Sequence, residues 1–278
     1  MDKSKKEMLN EKAKDLRTDV VDMLCEAGSG HSGGSLSIAD VFSYIYFSGD
    51  FDIDPSTQKD PKRDRLVLSK GHACPILYAA LAEKGYFDKK HLGTLRKFGS
   101  ILQGHPDMKK TPGVEISTGS LGQGLSAAVG MALGARLNKD DCKIIAILGD
   151  GECNEGQIWE AALSASHYKL DNLVAVLDKN GLQIDGFTKD VMDTEPLSDK
   201  WRSFGWKVIE INGHDFDQIE EAFNEAAGQS DQPCCIIADT VKGKGVSFME
   251  NMCDWHGKAP SEEEKAKALS EIREKISG

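Results

Sequence analysis

Residues 143–162 read KIIAILGDGECNEGQIWEAA: a mostly apolar run meets Gly149-Asp150-Gly151-Glu152, and a helical pattern resumes almost at once. A short apolar run closed by glycines reads as a buried strand ending in a tight turn. Such a turn accounts for the glycines but not for the two acids. Similar runs follow at 172–177 (NLVAVL), 206–211 (WKVIEI) and 234–239 (CCIIAD), with helical patterns near 156–168, 196–204 and 215–228 between them. Strands alternating with helices at this spacing predict βαβ units, hence an α/β fold: a mostly parallel central sheet with helices on both faces.

Toward the N-terminus, residues 4–27 read as an amphipathic helix, followed by the loop GSGHSGGS and a second helix near 37–47. RLVLSKGHACPILYAALAEKG gives a short strand, a polar turn and a helix ending at Gly85. GVEISTGSLGQGLSAAVGMALGARL is a glycine-rich loop opening a long helix of small residues, suited to close packing against other helices or across a subunit interface. Residues 1–260 are read as one domain and 261–278 as a charged helical tail.

With 278 residues, 40% of them hydrophobic, the chain has material for an ample core. Its net charge of −11 argues against a nucleic-acid surface, which needs a basic stripe. An anionic ligand must therefore be held by local donors or a metal against the overall field. No apolar run reaches the roughly 18 residues of a membrane span, and the charged N-terminus lacks a signal-peptide core. Seven cysteines without C-x-x-C spacing read as reduced thiols in a cytoplasmic protein, and zinc is a poor second.

Ligands of open parallel sheets bind beyond the carboxyl ends of the strands. Asp150 occupies that position on one strand, and Asp178 and Asn180 follow the end of the next. If the two strands are neighbours, Asp150 and Asn180 face one site with hard oxygen ligands, which suit Mg²⁺ or Ca²⁺. Gly149 and Gly151 leave room for a diphosphate, and the first turn of the 156–168 helix adds free N–H groups. The plain alternative is a turn with a helix-capping acid. A nicotinamide dinucleotide site fits less well, because the final glycine spacing is wrong and an aspartate stands where the pyrophosphate belongs. His31, His72, His105 and His256 all sit beside glycine in loops, the setting for an exposed imidazole in proton transfer. His91, His167 and His214 read as bland.

SGHSGGSLS, DRLVLSKGHACPILYAAL, GHPD, GVEISTGSLGQGLSAAVGMA, GDGECNEG with Asn180-GLQIDG, and TVKGKG with WHGKAP occur in the order found in transketolases. The resemblance covers about residues 10–260 and implies a thiamine diphosphate-binding fold. It implies Mg²⁺, with Ca²⁺ as a substitute, held by Asp150, Asn180 and the main-chain oxygen of Leu182. Gly151, His72 and His256 resemble the residues around the diphosphate. Gly119 and Leu121 resemble the backbone under the aminopyrimidine, and Ile184 is a further cofactor contact. His31, His72, His105 and His256 resemble the histidines that meet the donor sugar. Glu155 matches a glutamate near the subunit interface, and it reads equally well as a first-turn acid on the helix dipole.

Two departures stand out. The loop has GHSGGS where proline commonly follows the histidine, and Gly181 follows Asn180. More importantly, transketolases continue through a pyrimidine-binding and a C-terminal domain. The carboxylate that activates the aminopyrimidine and the cations that bind sugar phosphate belong to that missing part. Met1 and the helical tail favour the N-terminal subunit of a split transketolase over a truncated piece. The expected partner is a separate pyrimidine-domain subunit in an α₂β₂ assembly, transferring a ketol unit between sugar phosphates. The alternatives are a 1-deoxyxylulose-5-phosphate synthase-like enzyme, a specialised sugar transketolase and a non-catalytic scaffold subunit.

Overall fold

The computed structural model describes residues 1–274. Five strands form one parallel sheet: β1 (Arg65–Leu68), β2 (Ile144–Gly149), β3 (Leu173–Lys179), β6 (Lys207–Asn212) and β7 (Cys234–Asp239). A small antiparallel hairpin, β4 (Leu182–Gln183) and β5 (Gly186–Phe187), follows β3. The sheet order is β1-β2-β3-β7-β6, so β2 and β3 are neighbours, with Gly149 opposite Asp178.

Side chains alternate between two cores, as the period of two along a strand requires. Ile145 and Ile147 of β2, Val174 and Val176 of β3, and Ile236 of β7 face one layer. That layer holds α1 (Lys3–Ala27), α3 (Ala39–Phe47), α4 (Cys74–Lys84) and α9 (Phe216–Ala227). Ile144, Ala146, Leu148, Leu173, Leu177 and Ile237 face the other. There they meet α5 (Gln123–Asn138), α6 (Gly156–His167) and α8 (Leu197–Ser203), including the buried Trp201. Both faces are covered, which explains why the strand sequences are continuously apolar. The helical layers on both faces match the sequence expectation.

Local signals set the helix ends. Asp2 accepts from the Lys5 N–H at 2.9 Å to cap α1, and Gly28 ends it in the left-handed region. The helix expected near 37–47 begins at Ala39, because residues Gly33–Leu36 form their own turn, α2. Another short helix, α7 (Thr188–Val191), follows the hairpin. The charged tail forms α10 (Glu262–Glu274), which buries Ala268 and Ile272 in the first core and pairs Lys265 with Asp22 of α1 at 3.0 Å. Residues 275–278 of the expected tail lie outside the described residues.

The sheet's two edges differ. β1 has only four residues, whereas β6 carries Lys207 and Glu210, paired with Glu225 at 2.6 Å and Arg202 at 3.1 Å.

Ile147 is fully buried in the second strand of the sheet. We expect Ile147→Ala to cost about 2–5 kcal/mol through lost burial and a residual cavity, read as a lower urea midpoint with an unchanged slope.

Candidate active site

Three strand ends and the turn before α3 converge on one carboxylate. Asp178, at the end of β3, is fully buried. It forms an ion pair with Lys70, which follows β1, and accepts from Thr240 Oγ1, just beyond β7. It also accepts from Ser37 Oγ at 2.6 Å and from Asn180 Nδ2 at 3.0 Å. Burial alone would push the Asp178 carboxyl up, but Lys70 and the hydroxyl donors hold it below its usual range. A second buried acid, Glu152, accepts from Ser69 Oγ, from Gly122 N–H at 2.9 Å and from Gly149 N–H at 3.1 Å. It fastens the start of α5 to the ends of β1 and β2, and burial pushes its carboxyl up.

Above these acids lies a cavity of about 250 Å³. His31, His72 and His256 form a triangle on its wall, with ring centroids 5.2 to 5.4 Å apart. His105 sits 6.4 Å from His31 and opens onto an adjoining, wider depression along the start of α5. The loop under these rings needs glycine: a Cβ on Gly119 would stand 3.1 Å from the His105 ring, at a φ of +157°. Burial is the main force that holds the imidazoles neutral, joined by neighbouring cations. His31 and His256 are pushed down to about 4 and His72 to about 2. His31 Nδ1 is buried without a hydrogen-bond partner, so it is an atom suited to a ligand hydroxyl.

On the floor, Asp150 accepts from Gly151 N–H at 2.8 Å and from Gly181 N–H at 2.7 Å. Burial, then the nearby Asp178, pushes its carboxyl up to about 6, the mark of an acid short of positive charge. Asn180 gives its amide N–H to Asp178, which leaves Oδ1 as acceptor. Lys242 Nζ lies 3.3 Å from the Leu182 carbonyl and 2.9 Å from His256 Nδ1. An ammonium thus already rests against one of the three expected metal-binding oxygens. Among the described residues there is no group of three or more His, Cys, Asp or Glu that could hold a metal. One carboxylate, one amide oxygen and one carbonyl fit a hard ion that draws its remaining oxygens from a diphosphate and water.

A transketolase family model, described as the thiamine diphosphate binding domain, matches residues 8–274. This chain belongs to the transketolase family. A subunit of the apulose-4-phosphate transketolase of Phocaeicola vulgatus is 44% identical over 260 residues, covering 94% of this chain and 92% of that protein. The 6-deoxy-6-sulfo-D-fructose transketolase subunit SqwG of Clostridium sp. is 47% identical, covering 95% of this chain and 96% of that one. The crystal structure of transketolase from Campylobacter jejuni superposes with a TM-score of 0.90 at 36% identity, over 96% of this chain but 43% of that one. The likeness to that solved transketolase establishes the thiamine diphosphate-binding fold.

Within this transketolase chain, the cavity brings together His31, His72, His256, Gly119, Leu121, Asp150, Gly151, Asn180, Leu182 and Ile184. Glu155 is outside it, exposed at the start of α6 and packed beside Gly122. The expectation that α6 offers its first N–H groups to the ligand is corrected. A short turn over Gly151–Asn154 separates β2 from the helix, so α6 begins away from the cavity wall. Sequence reasoning missed Lys70, Glu152, Lys242 and the hub role of Asp178 around this cavity. Lys70 and Lys242 stand inside the quoted SKGHA and TVKGKG segments. Their burial, which is what makes them informative, is a property of the fold.

Lys70 and Asp178 are both almost wholly buried, so removing one strands the other. We expect Lys70→Met to destabilise the transketolase chain by about 3–5 kcal/mol, and Lys70→Met with Asp178→Asn to recover much of the loss. Denaturant titration of the three proteins checks this. For His31, His72 and His256 the folded pKa lies below the unfolded value of 6.5. The unfolded chain therefore binds more protons below that pH. Stability should be fully present above about pH 6.5 and fall as pH drops toward 4, with further loss below that from His72. Urea midpoints measured from about pH 7.5 down to about pH 5 should show this slope, and His31→Asn with His256→Asn should flatten it.

Proposed function

We propose that this chain is the N-terminal, diphosphate-binding subunit of a two-subunit transketolase, moving a two-carbon ketol unit from a ketose phosphate to an aldose phosphate. One observation carries the reading. The chain spans 92% and 96% of two relatives named as transketolase subunits, but 44% of human transketolase. Residues 1–260 act as the thiamine diphosphate-binding domain, with α10 docked on α1.

When bound, thiamine diphosphate supplies the nucleophilic carbon and electron sink needed to break and remake a carbon–carbon bond. Asp150, Asn180 Oδ1 and the Leu182 carbonyl would hold Mg²⁺. Gly151, His72, His256 and Lys242 would hold the diphosphate, and Gly119 and Leu121 would support the aminopyrimidine through their backbone. Ile184 contributes an apolar contact. His31, His72 and His105, kept neutral chiefly by desolvation, offer one donor and one acceptor each to sugar hydroxyls, and His256, whose Nδ1 accepts from Lys242, offers its Nε2–H; these imidazoles can take up or return a hydroxyl proton. Glu155, exposed beside Gly122, belongs at the contact with the partner. The partner subunit contributes the pyrimidine-binding domain and its activating carboxylate, in an α₂β₂ assembly within the cytoplasm. All seven cysteines being unpaired thiols supports that location.

The names of the two subunit relatives favour a second, narrower reading. One is named for apulose-4-phosphate and the other for a sulfonated deoxyfructose, so the donor here is a specialised sugar derivative.

The purified chain alone should show no ketol transfer, and transfer should appear on addition of the partner subunit. Transfer by the single chain would refute the split reading. A donor panel of ordinary, branched and sulfonated sugar phosphates separates the two substrate readings. Asp150→Asn should weaken Mg²⁺-dependent binding of the cofactor by at least about tenfold in calorimetry, since it removes the only charged ligand of the set.

A further inference from the structure

His214, which has no glycine-loop signature of a reactive histidine beyond the residue before it, closes a buried chain of charge behind the active site. Arg17 of α1 is 3% exposed and gives both terminal nitrogens to Asp40 of α3, at 2.9 and 2.6 Å. The same carboxylate meets His214 Nδ1 at 2.6 Å. Burial would push the Asp40 carboxyl up, but Arg17 and then His214 hold it well below the usual carboxylate range. An ionised carboxylate only accepts, so the His214 proton sits on Nδ1 and Nε2 is left as an acceptor. That acceptor is used: the Val241 N–H donates to it at 2.9 Å.

Val241 precedes Lys242, the buried ammonium of the cavity. The same segment is tied on the cavity side by Thr240 to Asp178 and by the Gly243 N–H to the Gly33 carbonyl at 3.0 Å. On the far side His214 holds the Val241 amide, while the Lys242 carbonyl accepts from the Asn251 N–H at 2.9 Å. A polar cavity of about 230 Å³, lined in part by Arg17, Asp40, His214, Lys244 and Glu250, lies beside this contact.

We propose that His214 is a positioning residue, its tautomer fixed by the Arg17–Asp40 pair, that pins the Val241 amide and thereby places Lys242 in the diphosphate cavity. The purpose rests on reading that cavity as the diphosphate site, whereas the pinning does not. A leucine at this position fills similar space and supplies no acceptor. A glutamine supplies both a donor for Asp40 and an acceptor for Val241.

Hydrogen exchange on the purified full chain, read by mass spectrometry, tests the pinning. In His214→Leu, peptides covering 240–246 should exchange at least about tenfold faster, the scale of one lost buried hydrogen bond, while β2 and β3 keep their protection. His214→Gln should restore most of it. Lys242 acylation should rise in the leucine variant and return toward the native rate with glutamine. Equal exchange in the leucine and glutamine variants overturns the pinning, as does native-like exchange in both. Calorimetry with Mg²⁺ and inorganic pyrophosphate on the same chains tests the purpose, with about tenfold weaker binding expected for His214→Leu. A freed 240–246 segment with undiminished pyrophosphate binding overturns the assigned purpose alone, whereas a native chain that binds no pyrophosphate overturns the diphosphate reading of the cavity.

Discussion

A single carboxylate carries the architecture of the site. Asp178 has no exposed surface, and a charge in that position is tolerated only while every donor around it stays in place. Its donors come from four separate stretches of chain: Ser37 before α3, Lys70 after β1, Asn180 after β3 and Thr240 after β7. Each of those stretches also carries a residue that lines the cavity. Satisfying the acid therefore assembles the site, and a displaced loop leaves the acid unsatisfied. Folding and preorganisation are the same condition here.

The electrostatics around the cavity run against the molecule as a whole. The chain carries a net charge of −11, yet Lys70 and Lys242 are buried at the point where an anion would enter. Burial pushes the Lys242 ammonium down to about 8, in opposition to Asp150 and Asp178. The histidines beside it are neutral for the same reason, so what they present is hydrogen-bonding capacity, and the positive charge is lysine's. This division of labour suits a ligand with an anionic end and a hydroxylated end.

The sheet was legible because its strands are buried on both faces and so read as unbroken apolar runs. Strand ends shifted by a residue or two, which pattern alone does not fix. The candidate site was legible where a loop placed reactive side chains beside glycine: three of the four singled-out histidines line the cavity and the fourth adjoins it. Glu152 was opaque because its partners are the Ser69 hydroxyl and main-chain amides at residues 122 and 149, which no spacing rule connects. Lys70 and Lys242 were opaque for the related reason that a lysine in a loop looks solvated until the fold buries it. Gly213 stands before His214, but that neighbour said nothing of its role, since its partners lie 174 and 27 residues away along the chain.

The edges of the sheet constrain how copies of this chain can meet anything else. An open sheet invites another strand along its border, but here one border is four residues long and the other presents charged, salt-bridged side chains. Growth of the sheet across a chain boundary is thereby discouraged on both sides. Another molecule that meets this chain must therefore do so through side chains and loops, not by adding a strand to the sheet.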